Sequence, residues 1–340
     1  MTPPLVLAVD GGNSKTDLAL VRADGRVAAL VRGRQSSPHY LGVEGSLAVL
    51  DELLAQAMAE AGIPNGNRPA AEVGELLLAG VDFPSEEQEM QSAASRRRLA
   101  ARISVANDTF AVLRAGTERG WGVAVVCGTG INCVGVAPDG RHARFPALGS
   151  ITGDWGGGHD VGLAAVSAAA RSEDGRGEKT SLERAVPAHF GLETPTELAE
   201  AFHRGRINER RVTELAPVVF GEAARDSVAA AIVERLAEEV VVLIRVALER
   251  LGMTGSPVEI ALGGGLVQSG DQRLISAIKA GLGEVAPAAT AHVTSSPPVV
   301  GAALLGLDEL EADPEAQARA RDELGKAYAR IDKQPRDGRE

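Results

Sequence analysis

The sequence predicts an α/β fold made of two related halves, and two observations carry that prediction. The first is an order of elements (strand, glycine-rich loop, strand, Asp-Gly turn, strand) that occurs near residue 5 and again from about residue 123. An internal repeat of this kind indicates two copies of one supersecondary unit. The second is the length of 340 residues, which suggests two domains at roughly 150 residues each. We therefore expect a first lobe over residues 1–117, a second over 118–306, and a C-terminal helix with a charged tail over 307–340.

Apolar runs and helical spacing give the order of elements. Continuous apolar runs predict strands at residues 5–9, 17–22, 26–31, 76–78, 103–106, 123–126, 131–136, 141–145 and 258–262. Leucine and alanine at helical spacing predict a helix that ends at Gly62, and Ser85 with Gln88 is expected to cap the next one. A long helix with one apolar face is predicted over residues 227–251, and an amphipathic helix followed by a frayed end after about residue 312.

Bulk composition excludes several classes of protein. The net charge is -11 and no basic stripe stands out, which argues against nucleic acid as a partner. Two cysteines cannot form a disulfide framework, so we expect a reducing compartment. Residues 1–4 lack the layout of a signal peptide, and no apolar run approaches the ~20 residues that span a bilayer. The expectation is a soluble cytoplasmic protein without membrane partners.

The first glycine loop follows the strand at residues 5–9. It consists of Asp10, Gly11, Gly12, Asn13, Ser14, Lys15 and Thr16. Backbone N–H groups exposed by glycines can hold phosphate oxygens, hydroxyl side chains can add donors, and a lysine ammonium can meet phosphate as a point charge. Asp10, at the strand end, is a candidate for holding Mg²⁺ directly or through water. The alternative is a hairpin turn with a solvated lysine.

Two further glycine loops also follow apolar strands, at the positions where α/β sheets bind ligands. They are Gly128, Thr129 and Gly130, and Gly263, Gly264 and Gly265. The first occupies the same place in its repeat as the loop after residue 9, so two hairpins could hold one phosphate chain. The second leaves room for a flat ring such as adenine. A tight turn and a crowded helix–strand contact, respectively, are the alternatives.

Two acidic residues are candidates for direct roles. Asp108 ends the last strand of the first half and could act as a general base toward a hydroxyl that attacks a phosphate, or could merely cap the following helix. Asp154 lies in a glycine-rich stretch, where its carboxylate could accept hydrogen bonds from sugar hydroxyls or could be a turn residue.

Other nucleotide and metal motifs are missing from the sequence. It contains no Gly-x4-Gly-Lys-Ser/Thr pattern and no protein-kinase loops. The six histidines lack metal-ligand spacing. Cys127 and Cys133 are interpreted as small packing residues.

Taken together, these loops resemble the N-acetylglucosamine kinase branch of the BadF/BadG/BcrA/BcrD ATPases, in the actin/hexokinase/Hsp70 superfamily. The matching stretches run in the family's order from residue 5 to about 307: residues 10–17, Asn107-Asp108, 127–133, Gly153-Asp154, 261–265 and 296–305. The resemblance implies a duplicated ribonuclease H-like (actin-like ATPase) fold of two lobes with a nucleotide cleft between them.

The resemblance also implies roles for individual positions. Asp108 is the base toward the 6-hydroxyl of an amino sugar, with ATP and Mg²⁺ as cofactors and a homodimer as the assembly. Ser14 and Thr129 contact the ATP phosphates, and residues 263–265 flank the adenosine. The implied sugar contacts are Ser37, His39, Asn107, Asp108, Gly149, Asp154 and Trp155. Pro38 and Trp155 depart from the family pattern at this sugar site, so the identity of the sugar stays open.

Three rival functions remain on the same scaffold. One is an ATPase that activates a radical 2-hydroxyacyl-CoA dehydratase, which would hold an iron–sulfur cluster through cysteines. Another is a sugar-sensing repressor, which would need a DNA-binding helix pair before the first strand. The third is an interaction module of the actin or chaperone kind, which would hydrolyse ATP without a sugar.

Overall fold

A computed structural model describes residues 5–64 and 69–332 of the chain. The expectations on residues 1–4 and on the frayed end of the tail lie outside these ranges. The chain divides into two compact units, which we call the first and second units. The first comprises Met1–Trp121 with Thr294–Glu340, and the second comprises Gly122–Val293.

The first unit is built on a five-stranded mixed sheet. Its strands are β1 (Leu5–Gly11), β2 (Lys15–Arg22), β3 (Val27–Arg34), β4 (Ala71–Leu78) and β5 (Ala100–Ala106). The sheet order is β3-β2-β1-β4-β5, in which β1 pairs antiparallel with β2 and parallel with β4, and β4 pairs parallel with β5. The carboxyl ends of β1, β4 and β5 therefore meet at one edge of the sheet.

Helices cover both faces of this first sheet. They are α1 (Pro38–Glu60), α2 (Pro84–Arg96), α3 (Thr109–Gly116), α11 (Pro298–Glu309) and α12 (Pro314–Ile331). One core cluster joins the sheet to α1 and α2, and includes Leu7, Leu18, Leu50 and Met90. The other joins the opposite face to α3, α11 and α12, and includes Val6, Leu77, Leu304 and Leu324.

The second unit repeats the sheet and adds helices. Its strands are β6 (Gly122–Cys127), β7 (Ile131–Val136), β8 (His142–Arg144), β9 (Glu259–Gly263) and β10 (Thr290–Val293). Their order, β10-β9-β6-β7-β8, has the pairing senses of the first sheet, with β6, β7 and β8 in the places of β1, β2 and β3. The helices are α4 (Gly157–Glu173), α5 (Leu182–His189), α6 (Pro195–His203), α7 (Ala216–Glu222), α8 (Ser227–Leu251), α9 (Gly265–Gln268) and α10 (Gln272–Val285). The duplicated α/β prediction is thus confirmed.

The long helix α8 spans the predicted residues 227–251 because its ends are strongly marked. The Asp226 carboxylate accepts the Ala229 N–H, and Gly252 ends the helix in the left-handed conformation. None of the helices within residues 5–64 and 69–332 is long and apolar enough to cross a membrane.

Local differences from the sequence predictions have simple causes. β4 begins at Ala71 rather than near residue 76, because Gly74 and Glu75 interrupt the apolar pattern inside a buried strand. The predicted Ser85–Gln88 cap of α2 is wrong: the helix starts after Phe83, and the Glu86 carboxylate accepts the Phe83 N–H instead. Residues 294–306, which we expected in the second lobe, belong to the first unit.

Candidate active site

The first glycine loop forms the tight turn between β1 and β2. The Gly12 N–H donates to the Lys15 carbonyl across 2.9 Å, and the tip residues Asn13 and Ser14 are exposed. A Cβ on Gly11 would come within 2.4 Å of the Leu78 side chain. Packing therefore requires glycine at position 11, while the exposed tip stays open to a ligand.

The side chains of Lys15 and Thr16 are engaged inside the first unit. Lys15 Nζ donates to the Tyr328 hydroxyl across 2.6 Å and lies 3.6 Å from the Asp17 carboxylate. Thr16 is buried and its hydroxyl donates to Ser36 Oγ across 2.8 Å. Their contacts with phosphate therefore remain predictions. Each contact would require the side chain to give up the hydrogen bond described above.

Asp10 is the penultimate residue of β1 and carries a partly buried carboxyl group with altered acidity. Burial raises its pKa well above the usual range, and the charges of Asp108 and Asp17 add to this effect, whereas Lys15 and Arg32 oppose it. Within residues 5–64 and 69–332, no cluster of three or more His, Cys, Asp or Glu side chains could enclose a metal ion. A lone hard-oxygen ligand fits Mg²⁺, which takes one or two carboxylates and completes its shell with water and substrate phosphates.

Asp108 lies beyond the end of β5, and the side chain of its neighbour Asn107 caps α3. Asn107 Oδ1 accepts the backbone N–H of Thr109 across 3.0 Å and its hydroxyl across 2.7 Å. The Asp108 side chain makes no capping hydrogen bond. The side chain that caps α3 is therefore that of Asn107, and Asp108 stays a candidate for the base.

The acidity of Asp108 is suited to taking a proton near neutral pH. Burial raises the pKa of Asp108 to about 6, the charge of Asp82 raises it further, and backbone hydrogen bonds from Thr109 and Asp108 itself lower it. A general base works best when its pKa lies near the working pH. Asp82 was missed from the sequence, although its place just beyond β4, at the same sheet edge, was an available signal.

Ser37 carries an unusual hydroxyl next to this sheet edge. The residue is fully buried, and its Oγ has no hydrogen-bond partner in the described ranges. A Cβ on Gly80 would lie 2.7 Å from both Ser37 Oγ and His39 Cβ, so this glycine keeps the space beside them open. His39 is exposed at the start of α1. A buried hydroxyl without a partner is uncommon, so Ser37 is a candidate for contact with a ligand.

The second glycine loop joins β6 to β7 and is held by the start of α4. The Gly128 N–H donates to the Gly130 carbonyl across 2.9 Å, and the tip residue Thr129 is exposed. Gly158 N–H donates to the Gly128 carbonyl across 2.8 Å. A Cβ on Gly157 would come within 2.4 Å of the Gly130 backbone. The glycines after Trp155 thus fix this hairpin by close backbone contact.

The third glycine loop packs against the same strand end. Gly264 has φ +89°, and a Cβ there would lie 2.3 Å from the Cys127 carbonyl oxygen. The crowded-contact alternative is therefore correct for Gly264, while Gly263 ends β9 and Gly265 begins α9. Their proximity to adenosine remains a prediction.

The two cysteines are confirmed as packing residues. Cys127 and Cys133 are both buried and unbonded. Burial raises the pKa of Cys127 to about 12 and raises that of Cys133 as well. Neither thiol is poised to act as a ligand or nucleophile.

Asp154 and Trp155 lie in a loop whose shape depends on Gly149. The Gly149 carbonyl accepts the Asp154 N–H across 3.0 Å, and the Thr152 hydroxyl donates to the Asp154 carboxylate. The guanidinium carbon of Arg235, from α8, lies 4.0 Å from the centre of the Trp155 ring.

Glu239 lies one turn further along α8. Burial raises its pKa, as do the charges of Glu238 and Asp154, while Arg235 lowers it. Arg235 and Glu239 were missed because their helical pattern marks only an exposed face.

Each unit thus groups part of the predicted site. At the carboxyl edge of the first sheet lie Asp10, Ser37, Asp82, Asn107 and Asp108. In the second unit, the loops at residues 128–130 and 263–265 lie together at the ends of β6 and β9, and residues 156–158 join the first of these loops to the Asp154 loop.

Comparisons with known proteins show which proteins this chain resembles. A family model described as the BadF/BadG/BcrA/BcrD ATPase family matches residues 7–306. The chain is 29% identical over 265 residues to an N-acetylmuramic acid/N-acetylglucosamine kinase of Clostridium acetobutylicum, covering 78% of this chain and 86% of that one. It is 25% identical over 319 residues to an N-acetyl-D-glucosamine kinase of Dictyostelium discoideum, covering 91% and 99%. A crystal structure from Chromobacterium violaceum, described as a candidate N-acetylglucosamine kinase, aligns with a TM-score of 0.70 at 26% identity, covering 90% and 99%.

Proposed function

The chain belongs to the BadF/BadG/BcrA/BcrD ATPase family, and from this premise we propose that it transfers the γ-phosphate of ATP to the 6-hydroxyl of an amino sugar, with N-acetylglucosamine as the main acceptor. It is a sugar kinase, as its named relatives are. The observation that carries the finer proposal is the state of Asp108. Its neighbour Asn107 caps the helix in its place, and burial holds its pKa at about 6.

The proposed role of Asp108 is to accept the proton of the attacking hydroxyl. Above about pH 6 the carboxylate is ionised, so it can orient the 6-hydroxyl and take its proton as the new P–O bond forms. Phosphoryl transfer has little covalent chemistry for a protein to perform, so positioning of the two substrates accounts for most of the catalysis.

The remaining predicted residues bind the substrates. The exposed hairpin tips at Asn13-Ser14 and at Thr129-Gly130 present backbone N–H groups and hydroxyls to the ATP phosphates. The unpartnered Ser37 hydroxyl, together with Asp154 and its neighbours, holds the sugar. Asp10 would hold Mg²⁺ through water, and the ion would supply charge neutralisation on the phosphates.

A second acceptor, N-acetylmuramic acid, is supported by Arg235. The Clostridium acetobutylicum relative is named for both sugars, and N-acetylmuramic acid carries a carboxylate that N-acetylglucosamine lacks. The guanidinium carbon of Arg235 lies 4.0 Å from the centre of the Trp155 ring, and its charge lowers the pKa of the nearby Glu239. The N–H edge of this guanidinium can donate to a substrate carboxylate.

The rival of a dehydratase-activating ATPase is disfavoured by the cysteines. That activity would need accessible thiolates to hold a cluster, whereas Cys127 and Cys133 are buried and protonated at neutral pH.

The test is an ADP-release assay with a panel of hexoses and amino sugars, followed by phosphorus NMR of the product. We expect sugar-dependent ADP release that is fastest with N-acetylglucosamine, and a product phosphorylated at position 6. Equal ADP release with and without sugar, or phosphate at position 1, would contradict the proposal.

A further inference from the structure

Asp82 is a carboxylate beside Asp108 that belongs to none of the glycine motifs. It lies in the loop between β4 and α2, and Asp108 follows β5. Because β4 and β5 pair in parallel up to Leu77 and Ala106, the two loops leave the same edge of the sheet. The topology therefore brings two acidic residues together that are far apart in the sequence.

Asp82 is tied to the residue that precedes Asp108. Its Oδ1 accepts a hydrogen bond from Asn107 Nδ2 across 2.8 Å. The other end of the Asn107 amide accepts both hydrogen bonds from Thr109, and Asn107 is only 3% exposed. Asn107 is thus held at both ends of its amide, and the backbone from which Asp108 projects is fixed with it.

The loop that carries Asp82 is itself anchored. The Glu86 carboxylate, from the first turn of α2, accepts the backbone N–H groups of Asp82 and Phe83 across 2.8 and 3.0 Å. The chain of contacts therefore runs from Glu86 through Asp82 and Asn107 to Asp108.

The charge of Asp82 also affects Asp108. After burial, the Asp82 charge is the main influence that raises the pKa of Asp108. From β1, Asp10 also faces Asp108, whose charge raises the pKa of Asp10 in turn. Lys15, Arg32 and Asp17 act on Asp10.

We propose that Asp82 is a positioning residue for phosphoryl transfer: through its hydrogen bond with Asn107 it fixes the backbone from which Asp108 projects. This inference rests on the proposed function, in which Asp108 takes the proton of the sugar hydroxyl. Asp82 contacts neither substrate in this account and acts only through its neighbours.

Two substitutions separate the hydrogen bond from the charge. Asp82→Asn keeps an oxygen that accepts from Asn107 but removes the charge, so the acid limb of kcat/KM for the sugar should move down by roughly 0.5–1 pH unit, with kcat at pH 8 nearly unchanged. Asp82→Ala removes both, so kcat at pH 8 should also fall by roughly ten- to a hundredfold. The matched control is Asp24→Asn, in the turn at the opposite end of the sheet, which should change neither.

A second readout does not depend on catalysis. With aspartate labelled at the carboxyl carbon, the Asp108 resonance is identified by its absence from Asp108→Asn, and its titration should move to lower pH in Asp82→Asn. A wild-type protein without sugar-dependent ADP release would contradict the proposed function, while the titration would still report the influence of Asp82 on Asp108. Wild-type kcat at pH 8 in Asp82→Ala would overturn the inference.

Discussion

At the scale of single residues, the sequence suggested both helix capping and the general-base role for Asp108 alone. The structure shows that the neighbouring residue Asn107 makes the capping hydrogen bonds. Asn107 caps α3, so substitution of Asn107 should lower stability more than substitution of Asp108. Asp108→Asn should lower kcat by at least about a hundredfold, because a positioned base contributes roughly 10²–10⁴-fold, and should leave the melting temperature nearly unchanged. Asn107→Ala should lower the free energy of unfolding by about 1 kcal/mol. Near-normal kcat in Asp108→Asn would rule out the general-base role.

Arg235 is predicted to discriminate between two sugars. Arg235→Gln should lower kcat/KM for N-acetylmuramic acid by roughly ten- to a hundredfold, since a hydrogen bond to a charged group contributes about 1.5–3 kcal/mol. The value for N-acetylglucosamine should change little. Arg245→Gln, on the same helix but ion-paired with Glu249, is the control. Equal losses for both sugars would show that Arg235 only packs on Trp155.

At the scale of elements, strand β4 carries a buried acid whose protonation couples to stability. Glu75 is 5% exposed, and burial raises its pKa to about 8, helped by the charges of Glu309 and Asp308 on α11. Its pKa in the unfolded chain is near the ordinary value of 4.5. As the pH rises, the unfolded state therefore releases this proton at a lower pH than the folded state does. The stability that protonated Glu75 contributes is complete below about pH 4.5 and is lost as the pH rises towards 8.

Glu75→Gln should remove this loss because glutamine does not titrate. The variant should gain stability relative to the wild type as pH rises from 5 to 8, by up to about 1.4 kcal/mol per pH unit, measured by urea unfolding at both pH values. Glu72→Gln, on the same strand but half-exposed, should follow the wild type. A constant difference between Glu75→Gln and wild type across this range would contradict the raised pKa.

The crossing of α3 and α11 depends on a glycine. A Cβ on Gly301 would lie 1.9 Å from the Ala111 carbonyl oxygen, whereas a Cβ on Gly325 of α12 meets nothing within 4 Å. Gly301→Ala should destabilise the protein by about 1–3 kcal/mol through overpacking. Gly325→Ala should stabilise it by up to about 1 kcal/mol, since alanine favours a helix over glycine. Urea midpoints that move in the same direction for both would refute this close contact.

At the scale of the whole molecule, the proposed reaction joins two substrates, so turnover should need both. We expect ATP hydrolysis without sugar to be at least roughly a hundredfold slower than sugar phosphorylation, because water lacks the binding energy that positions a sugar. Asp154→Ala, in the second unit, should raise KM for the sugar and lower kcat together. Wild-type sugar kinetics in Asp154→Ala would argue against a substrate role for this loop.

The duplicated fold and the glycine loops could be predicted because they depend on local signals. Apolar runs, turn residues and the repeat of both are visible along the chain, and α8 was placed accurately because its apolar residues recur on one face. Lys15 shows the limit of such reasoning. Its partner Tyr328 lies near the other end of the described chain, and no local pattern indicates that pairing.

Asp82, Arg235 and Glu75 were missed for a related reason. Each is a single charged residue whose importance comes from which strand or helix lies beside it. Asp82 acquires its role from the parallel pairing of β4 with β5, and Glu75 from α11, which packs over the buried face of β4. Sequence patterns predict the elements, but neighbours of this kind are set by the topology.

The late position of α11 and α12 in the sequence affects how the chain folds during translation. Residues 5–121 emerge first, yet the sheet face that includes Val6 and Leu77 is covered by helices from after residue 294. At the usual ~5–20 residues per second, translation of the intervening second unit takes on the order of ten seconds or more. During that interval α3 can pack on this sheet face but α11 and α12 cannot, so part of an apolar face stays exposed and the nascent chain should depend on chaperones that shield such surfaces.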